Sequence, residues 1–346
     1  MITAAPTFET NHKTCNSMQS LICTTPGTLT YRDIPRPDPA PGHTLLKIRR
    51  IGICGTDLHA YQGTQPYFTY PRILGHELAA DLADTGEAVT IIPYFNCGDC
   101  IACRQGKPNC CTRIQVCGVH TDGGMVEFLS VPDNALVPGL GLSYEALALV
   151  EPLAIGAHGI RRAGIMPGEF VLVMGAGPIG LGTMAFAGIA GAKVIAMDIH
   201  QGRLAFCRKH LNVSHTVDAG SRDALEQVRS ITGGDMPTVV IDATGNRNAI
   251  NQGLEYLAHG GRYVLIGLQK ESIVLSHPEF HKRETTLMSS RNATRADFEH
   301  VMDSMHRGLV DPVTFITHRI PFDQVADQFT GWLDPASGVI KAMVEL

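Results

Sequence analysis

Cys97, Cys100, Cys103 and Cys111 stand in the run NCGDCIACRQGKPNCC, with spacing C-x2-C-x2-C-x7-C. Two-residue gaps let successive thiolates turn inward on a tight loop. A fourth thiolate from further along closes a tetrahedron, the arrangement of a structural Zn²⁺ site. A disulfide framework belongs to exported chains, and the first residues, MITAAPTFETNHKTCNS, lack the charged start and apolar core of a signal peptide. An iron–sulfur cluster also accepts thiolates, but bacterial cluster runs usually continue to a distant cysteine followed by proline. Cys110, beside Cys111, competes for the place of fourth ligand.

A second group is more dispersed. Cys54 lies in GICGTDLHAY, His76 and Glu77 in GHE, and Glu151 in EPLA. Singly, each has a plain reading as a core cysteine or a helix-start acid. Together they offer one thiolate, one imidazole and two carboxylates. A catalytic zinc keeps one position open, so three protein ligands suffice. The expected set is Cys54, His76 and one of Glu77 and Glu151, the other carboxylate exchanging with water or acting from behind. Asp57 is expected to hold His76 by its distal nitrogen. Thr56 and His59 then form a proton route. An alcohol must lose its hydroxyl proton before hydride leaves its carbon; a threonine hydroxyl can take that proton and pass it toward a histidine near solvent. A turn threonine and a surface histidine are the alternatives.

Gly175, Gly177 and Gly180 form G-x-G-x-x-G, with Pro178 and Ile179 inside it, between the strand-like EFVLVM and the helix-like PIGLGTMAFAGIAGA. The first glycine allows the tight turn, the second lets backbone approach a pyrophosphate, and the third lets helix and strand pack closely. The phosphates would sit on the helix N-terminus. Asp198 closes the next strand, 18 residues after Gly180. An acid there accepts ribose hydroxyls and repels a 2′-phosphate, which favours NAD over NADP. Arg203 either stacks on adenine or is a solvated helix residue.

These groups need elements to carry them. A chain of 346 residues with 44% hydrophobic and 18% charged residues suits two domains. Residues 1–17 read as a flexible tail. From Met18 to about residue 150 the pattern is short strands broken by turns, with LLKIRRIGIC a half-buried strand. ALALVEPLAIGAHGIRRAG reads as a helix leading onward. Strand–helix alternation follows: EFVLVM, KVIAMDI, TVVIDATG and GRYVLIGL as apolar strands, GRLAFCRKHL as a helix. This predicts a doubly wound parallel sheet. The helix ADFEHVMDSMHRGL then leads to a tail, VIKAMVEL, able to return to the first domain. The expected division is 18–156 with 294–346, and 157–293. A net charge of −5 without a basic block argues against nucleic acid, and no apolar run reaches membrane-spanning length. Ten cysteines and no export signal point to the reducing cytoplasm.

In this order, GICGTDLHAY, GHE, the four-cysteine loop, EPLA and GAGPIG make the chain resemble the zinc-dependent medium-chain dehydrogenase/reductase family, from Met18 to Leu346. The resemblance implies an α/β protein. Its GroES-like β-rich domain would carry a catalytic and a structural zinc, and its Rossmann domain would bind NAD. It also implies a small-molecule alcohol substrate and a homodimer or homotetramer, and it favours Cys111 over Cys110. GTQPYFTYPRILGHE, KPNCCTRIQVCGVHTDGG and FHKRETTLMSSRNATRADF look like the bacterial L-galactonate 5-dehydrogenase branch, beside the sorbitol and threonine dehydrogenases. That likeness implies oxidation of a secondary hydroxyl of a hexonate, and makes Arg291 a carboxylate clamp where sorbitol-type relatives carry a substrate-facing arginine. An ion pair at a domain joint is the alternative for Arg291. Tyr61, Phe95 and His120 are further pocket candidates, or packing. Rival readings are a polyol or L-threonine dehydrogenase, and a non-catalytic nucleotide-binding protein, which loss of a catalytic ligand would mark. The chain departs from the family in LAADLADTGEAVTII, about nine residues shorter than usual between Glu77 and Pro93, so a hairpin must be trimmed or rebuilt.

Overall fold

The computed structural model describes residues 17–211 and 213–346. The expected tail over 1–17 lies outside the described residues apart from Ser17, which opens the strand Ser17–Thr25.

The first half of the chain, joined by two strands from the C-terminal end, builds a seven-stranded sheet. In spatial order it runs Leu136–Pro138, Ala88–Ile91, Glu77–Leu82, His43–Gly52, Lys341–Glu345 and Ile316–Pro321, and Phe128–Pro132 also pairs with His43–Gly52. A smaller sheet of Thr28–Pro35, Ser17–Thr25 and Arg72–Ile73 accompanies it. Strand alternation in LLKIRRIG is only partial for a structural reason. The register shifts between Ile48 and Arg50, so Leu46 and Ile48 before the bulge and Ile51 after it all reach the same core. The C-terminal strand pairs antiparallel with this central strand, Met343 opposite Gly52. The first lobe is therefore closed by residues from the far end of the sequence.

Six parallel strands form the second layer, in the order His215–Asp218, Lys193–Asp198, Phe170–Met174, Val239–Asp242, Arg262–Leu265 and Thr286–Ser289. Side chains alternate across such a sheet. Val171 and Val173 accordingly enter one core, and Leu172 and Met174 enter another. Strand order reverses at Phe170–Met174, which leaves a crevice beyond its carboxyl end.

The expected linking helix is two helices, Tyr144–Ala148 and Val150–Ala163, broken at Leu149, whose φ of −96° and ψ of 2° are not helical. Val150–Ala163 packs on Pro178–Ile189 and on Arg295–His306. Residue 156, where the sequence suggests a boundary, lies inside this helix. One core runs without interruption from Tyr94 and Cys111 through Leu153 to Phe298. No helix among the described residues is long and apolar enough to cross a membrane.

The shortened segment is a closed hairpin. Glu77–Leu82 and Ala88–Ile91 pair antiparallel, and both Leu82 N–H to Glu87 O and Gly86 N–H to Leu82 O measure 2.8 Å. The turn depends on Gly86 at φ +77°, with open space around it. Gly86→Ala should cost about 1 kcal/mol from left-handed backbone strain alone. Urea denaturation with an unchanged midpoint would show that the turn relaxes.

Candidate active site

Asp57 organises the first site. It is buried in the helix Gly55–Gln62, which begins immediately after Cys54. Its Oδ2 accepts the Cys54 N–H at 2.9 Å and its Oδ1 accepts the Gly75 N–H at 3.1 Å. One carboxylate thereby ties the backbone at Cys54 to the backbone before His76. The thiol of Cys54, the imidazole of His76 and the carboxylate of Glu77 present ligand atoms all within 4.8 Å of one another. Asp57 does not hold His76 as expected. Its Oδ1 is 3.8 Å from His76 Nδ1, beyond hydrogen-bond reach, because its oxygens are directed at the two amides. His76 Nδ1 is buried without a hydrogen-bond partner among the described residues.

Charge in this pocket favours a cation. Burial alone would lower the His76 pKa, but Cys54 and Asp57 outweigh it and hold the imidazole well above its usual value. An excess of negative charge that stabilises an imidazolium equally suits a dication, and thiolate, imidazole and carboxylate are zinc donors. The donor set fits the metal.

The two glutamates have different surroundings. Both oxygens of Glu77 lie 2.6 Å from Lys341 Nζ, and that ammonium also donates to Ile53 O at 2.9 Å. Glu77 is wholly buried and Lys341 is 2% exposed. Gly52 makes room for the pair, since a Cβ there would lie 2.0 Å from Glu77 Oε2. Glu151, second residue of its helix, is not among the three donors that converge within 4.8 Å. It accepts a hydrogen bond from Tyr94 Oη, and burial pushes its pKa up to about 7. Lys341 and Tyr94 were not anticipated. A lone lysine in the otherwise apolar VIKAMV is the signal of a buried ion pair; nothing local marks Tyr94.

Thr56 and His59 are three residues apart on the helix Gly55–Gln62, on neighbouring positions of one face. Thr56 is half-buried and His59 exposed. His59 Nδ1 faces Thr64 Oγ1 at 3.1 Å. Tyr61 packs on Phe329 with ring centroids 5.1 Å apart and bonds Thr330. Phe95 lies against the same core.

The four sulfurs of Cys97, Cys100, Cys103 and Cys111 also converge within 4.8 Å, while Cys110 is exposed outside the group. Backbone amides orient them: Cys97 N–H and Arg113 N–H donate to Cys111 Sγ at 3.4 and 3.3 Å. The amides of Cys103 and Thr112 lower the Cys100 thiol to about 5. Four thiols, one already acidic, fit a tetrahedral Zn²⁺.

In the crevice of the parallel sheet, Gly175 has φ +98°, and a Cβ on Gly180 would lie 1.8 Å from Gly175 O. Gly177 caps the helix that Pro178 and Ile179 begin. This close cradle fits a dinucleotide pyrophosphate. Asp198 accepts Ala176 N–H at 2.6 Å and His200 N–H at 2.8 Å. It thus holds the glycine turn. The Arg203 guanidinium reaches to 3.9 Å from where a Gly177 Cβ would stand, at the turn itself.

Arg291 is exposed, and its guanidinium makes no hydrogen bond or ion pair among the described residues. Its charge reaches His120. Burial first, then Arg291 and Arg72, hold that imidazole below its usual value. His120 Nδ1 accepts the Val116 N–H at 3.1 Å, in a loop whose Gly118 presses on Gly75, the neighbour of His76.

Residues 40–140 match the alcohol dehydrogenase GroES-like domain, and residues 178–307 match the zinc-binding dehydrogenase family. The L-galactonate-5-dehydrogenase of Escherichia coli K12 is 44% identical over 91% of this chain and 95% of its own. An L-threonine 3-dehydrogenase of Bacillus velezensis is 31% identical over 87% and 91%, and a sorbitol dehydrogenase of Bacillus subtilis is 28% identical over 96% and 98%. The RspB alcohol dehydrogenase of E. coli CFT073, crystallised with NADH, superposes with a TM-score of 0.89 at 28% identity, over 96% of this chain and 100% of that one.

Lys341→Met should destabilise the fold by about 3–5 kcal/mol, because it leaves the Glu77 charge buried and alone. Urea denaturation of the single variant and of Glu77→Gln/Lys341→Met measures this. The double variant should recover most of the loss, and a single variant as stable as the parent would refute the pairing.

Proposed function

The chain belongs to the zinc-type alcohol dehydrogenase family, and from that premise we propose that it oxidises a secondary hydroxyl of a sugar acid, L-galactonate foremost, with NAD. The observation that carries the acid substrate is the Arg291 guanidinium, unpaired among the described residues, whose charge falls on His120 in the loop packed beside His76. A planar guanidinium binds a carboxylate through two parallel hydrogen bonds. The relative named for L-galactonate supplies the particular acid.

Cys54 and His76, with Glu77 or Glu151, would hold the catalytic zinc; Cys97, Cys100, Cys103 and Cys111 would hold the structural one. When bound, zinc favours loss of the alcohol proton and NAD accepts the hydride. Thr56 accepts the hydroxyl proton and hands it toward His59, whose exposure lets it exchange with solvent. Lys341 neutralises Glu77, so Glu77 competes weakly for the metal while Glu151 stays adjustable. Gly175, Gly177 and Gly180 seat the pyrophosphate on the helix Pro178–Ile189. The carboxylate of Asp198 disfavours a 2′-phosphate, and Arg203 lies over the turn. The many thiols suit the reducing cytoplasm, and a homodimer or homotetramer is the expected assembly.

The second reading is a polyol or threonine dehydrogenase, favoured by the sorbitol and threonine relatives. NADH formation at 340 nm with L-galactonate, other hexonates, sorbitol and L-threonine, each with NAD and NADP, separates them. Turnover confined to neutral polyols would remove the clamp and leave the chemistry. Arg291→Ala should raise KM for L-galactonate at least about tenfold, the worth of a charge-assisted hydrogen bond, and raise KM for sorbitol less. Cys54→Ser should abolish turnover and leave NAD binding intact by fluorescence titration; full activity would sink the zinc assignment.

A further inference from the structure

Asn109 belongs to the four-cysteine lobe, in the short turn Pro108–Cys110, yet it is only 4% exposed and its side chain reaches out of that lobe. Its Nδ2 donates to the backbone oxygen of Arg291 at 2.9 Å and lies 3.2 Å from His158 Nε2. A carbonyl only accepts, so Arg291 determines which end of the amide is nitrogen. The second amide hydrogen then goes to His158 Nε2, which must be the bare ring nitrogen. The ring hydrogen sits on Nδ1, 2.9 Å from Asp297 Oδ2. Asp297 is anchored in turn by two bonds from Arg161, at 2.7 and 2.9 Å, and by Thr294. Asn292 returns the contact, its Nδ2 donating to Asn109 O at 3.3 Å.

These bonds matter because of where Arg291 sits. It lies between the strand Thr286–Ser289 and the helix Arg295–His306, outside either ladder of backbone bonds. Asn292 beside it has φ +54°, in the left-handed region that asparagine tolerates better than most side chains. Asn109 holds the segment at two points, the Arg291 carbonyl and the Asn292 side chain. We propose that Asn109 is the positioning residue for Arg291, and that through it the four-cysteine lobe sets the preference for acids over neutral polyols. This rests on Arg291 as the partner of the substrate carboxylate. It gives the lobe a part in recognition besides folding: a displacement of about 1 Å in a positioning group can cost a hundredfold in rate.

The test compares Asn109→Asp, Asn109→Ala, Arg291→Ala and the double variant Asn109→Ala/Arg291→Ala. Asn109→Asp keeps the volume but turns an oxygen toward the Arg291 carbonyl. The expected result is a KM for L-galactonate raised about tenfold in each Asn109 variant, with zinc at two per chain, KM for NAD unchanged and kcat/KM for sorbitol unchanged. The double variant should be no worse toward L-galactonate than Arg291→Ala, because coupled sites are not additive. Equal losses on acid and polyol, or additive losses in the double variant, would overturn the proposal. Amide hydrogen exchange over residues 290–294 keeps the two readings apart. Unchanged exchange in Asn109→Asp overturns the positioning role alone. Raised exchange with an Arg291→Ala variant indifferent to L-galactonate overturns the substrate reading, and the selectivity claim with it.

Discussion

Glu77 and Lys341 place opposite charges at the centre of the first sheet, where an isolated ion costs several kcal/mol to desolvate. Each is tolerable only because the other is 2.6 Å away. Much of the geometry around Cys54 and His76 depends on that pairing. Lys341 Nζ also binds Ile53 O, directly before Cys54, and Glu77 directly follows His76. One ammonium therefore fixes the spacing of the two segments that supply the thiol and the imidazole. Gly52 has no side chain because the carboxylate lies over it. Asp57 performs the complementary task from the other side, through amides rather than a second charge.

The cofactor end uses the same economy of means. Asp198 holds the amide of Ala176, just after Gly175, so the acid that closes its strand also shapes the glycine turn. The helix Val150–Ala163 links the two ends. It carries Glu151 near its start and His158 two turns on, and its apolar face packs in the core that continues into the parallel sheet.

Most of the parallel sheet was legible because its strands are continuous apolar runs ending in glycine or aspartate. Two were not: His215–Asp218 is polar at an edge, and Thr286–Ser289 carries no long apolar run. In the first lobe the bulge at Ile48–Arg50 breaks the alternation that would announce a strand. Ligand types were readable from spacing. Which carboxylate comes near them was not, since that depends on Lys341 and Tyr94, distant in sequence from the glutamates they bind. Asp57 shows the same limit. Its proximity to His76 was readable, but its preference for two backbone amides follows only from the fold. Arg291 shows the converse: an ion pair was the simple alternative for a surface arginine, and none is formed among the described residues.

The separation of 264 residues between Glu77 and Lys341 has a consequence for the order of events in the cell. A ribosome takes on the order of half a minute to travel that distance. Throughout that interval the strand Glu77–Leu82 has been made while the neutralising partner of Glu77 has not. Until the parallel-sheet domain has been made, Glu77 lacks the ammonium it is paired with in the folded chain. The pocket of Cys54, His76 and Glu77 can therefore assume its final form only when the last strand docks.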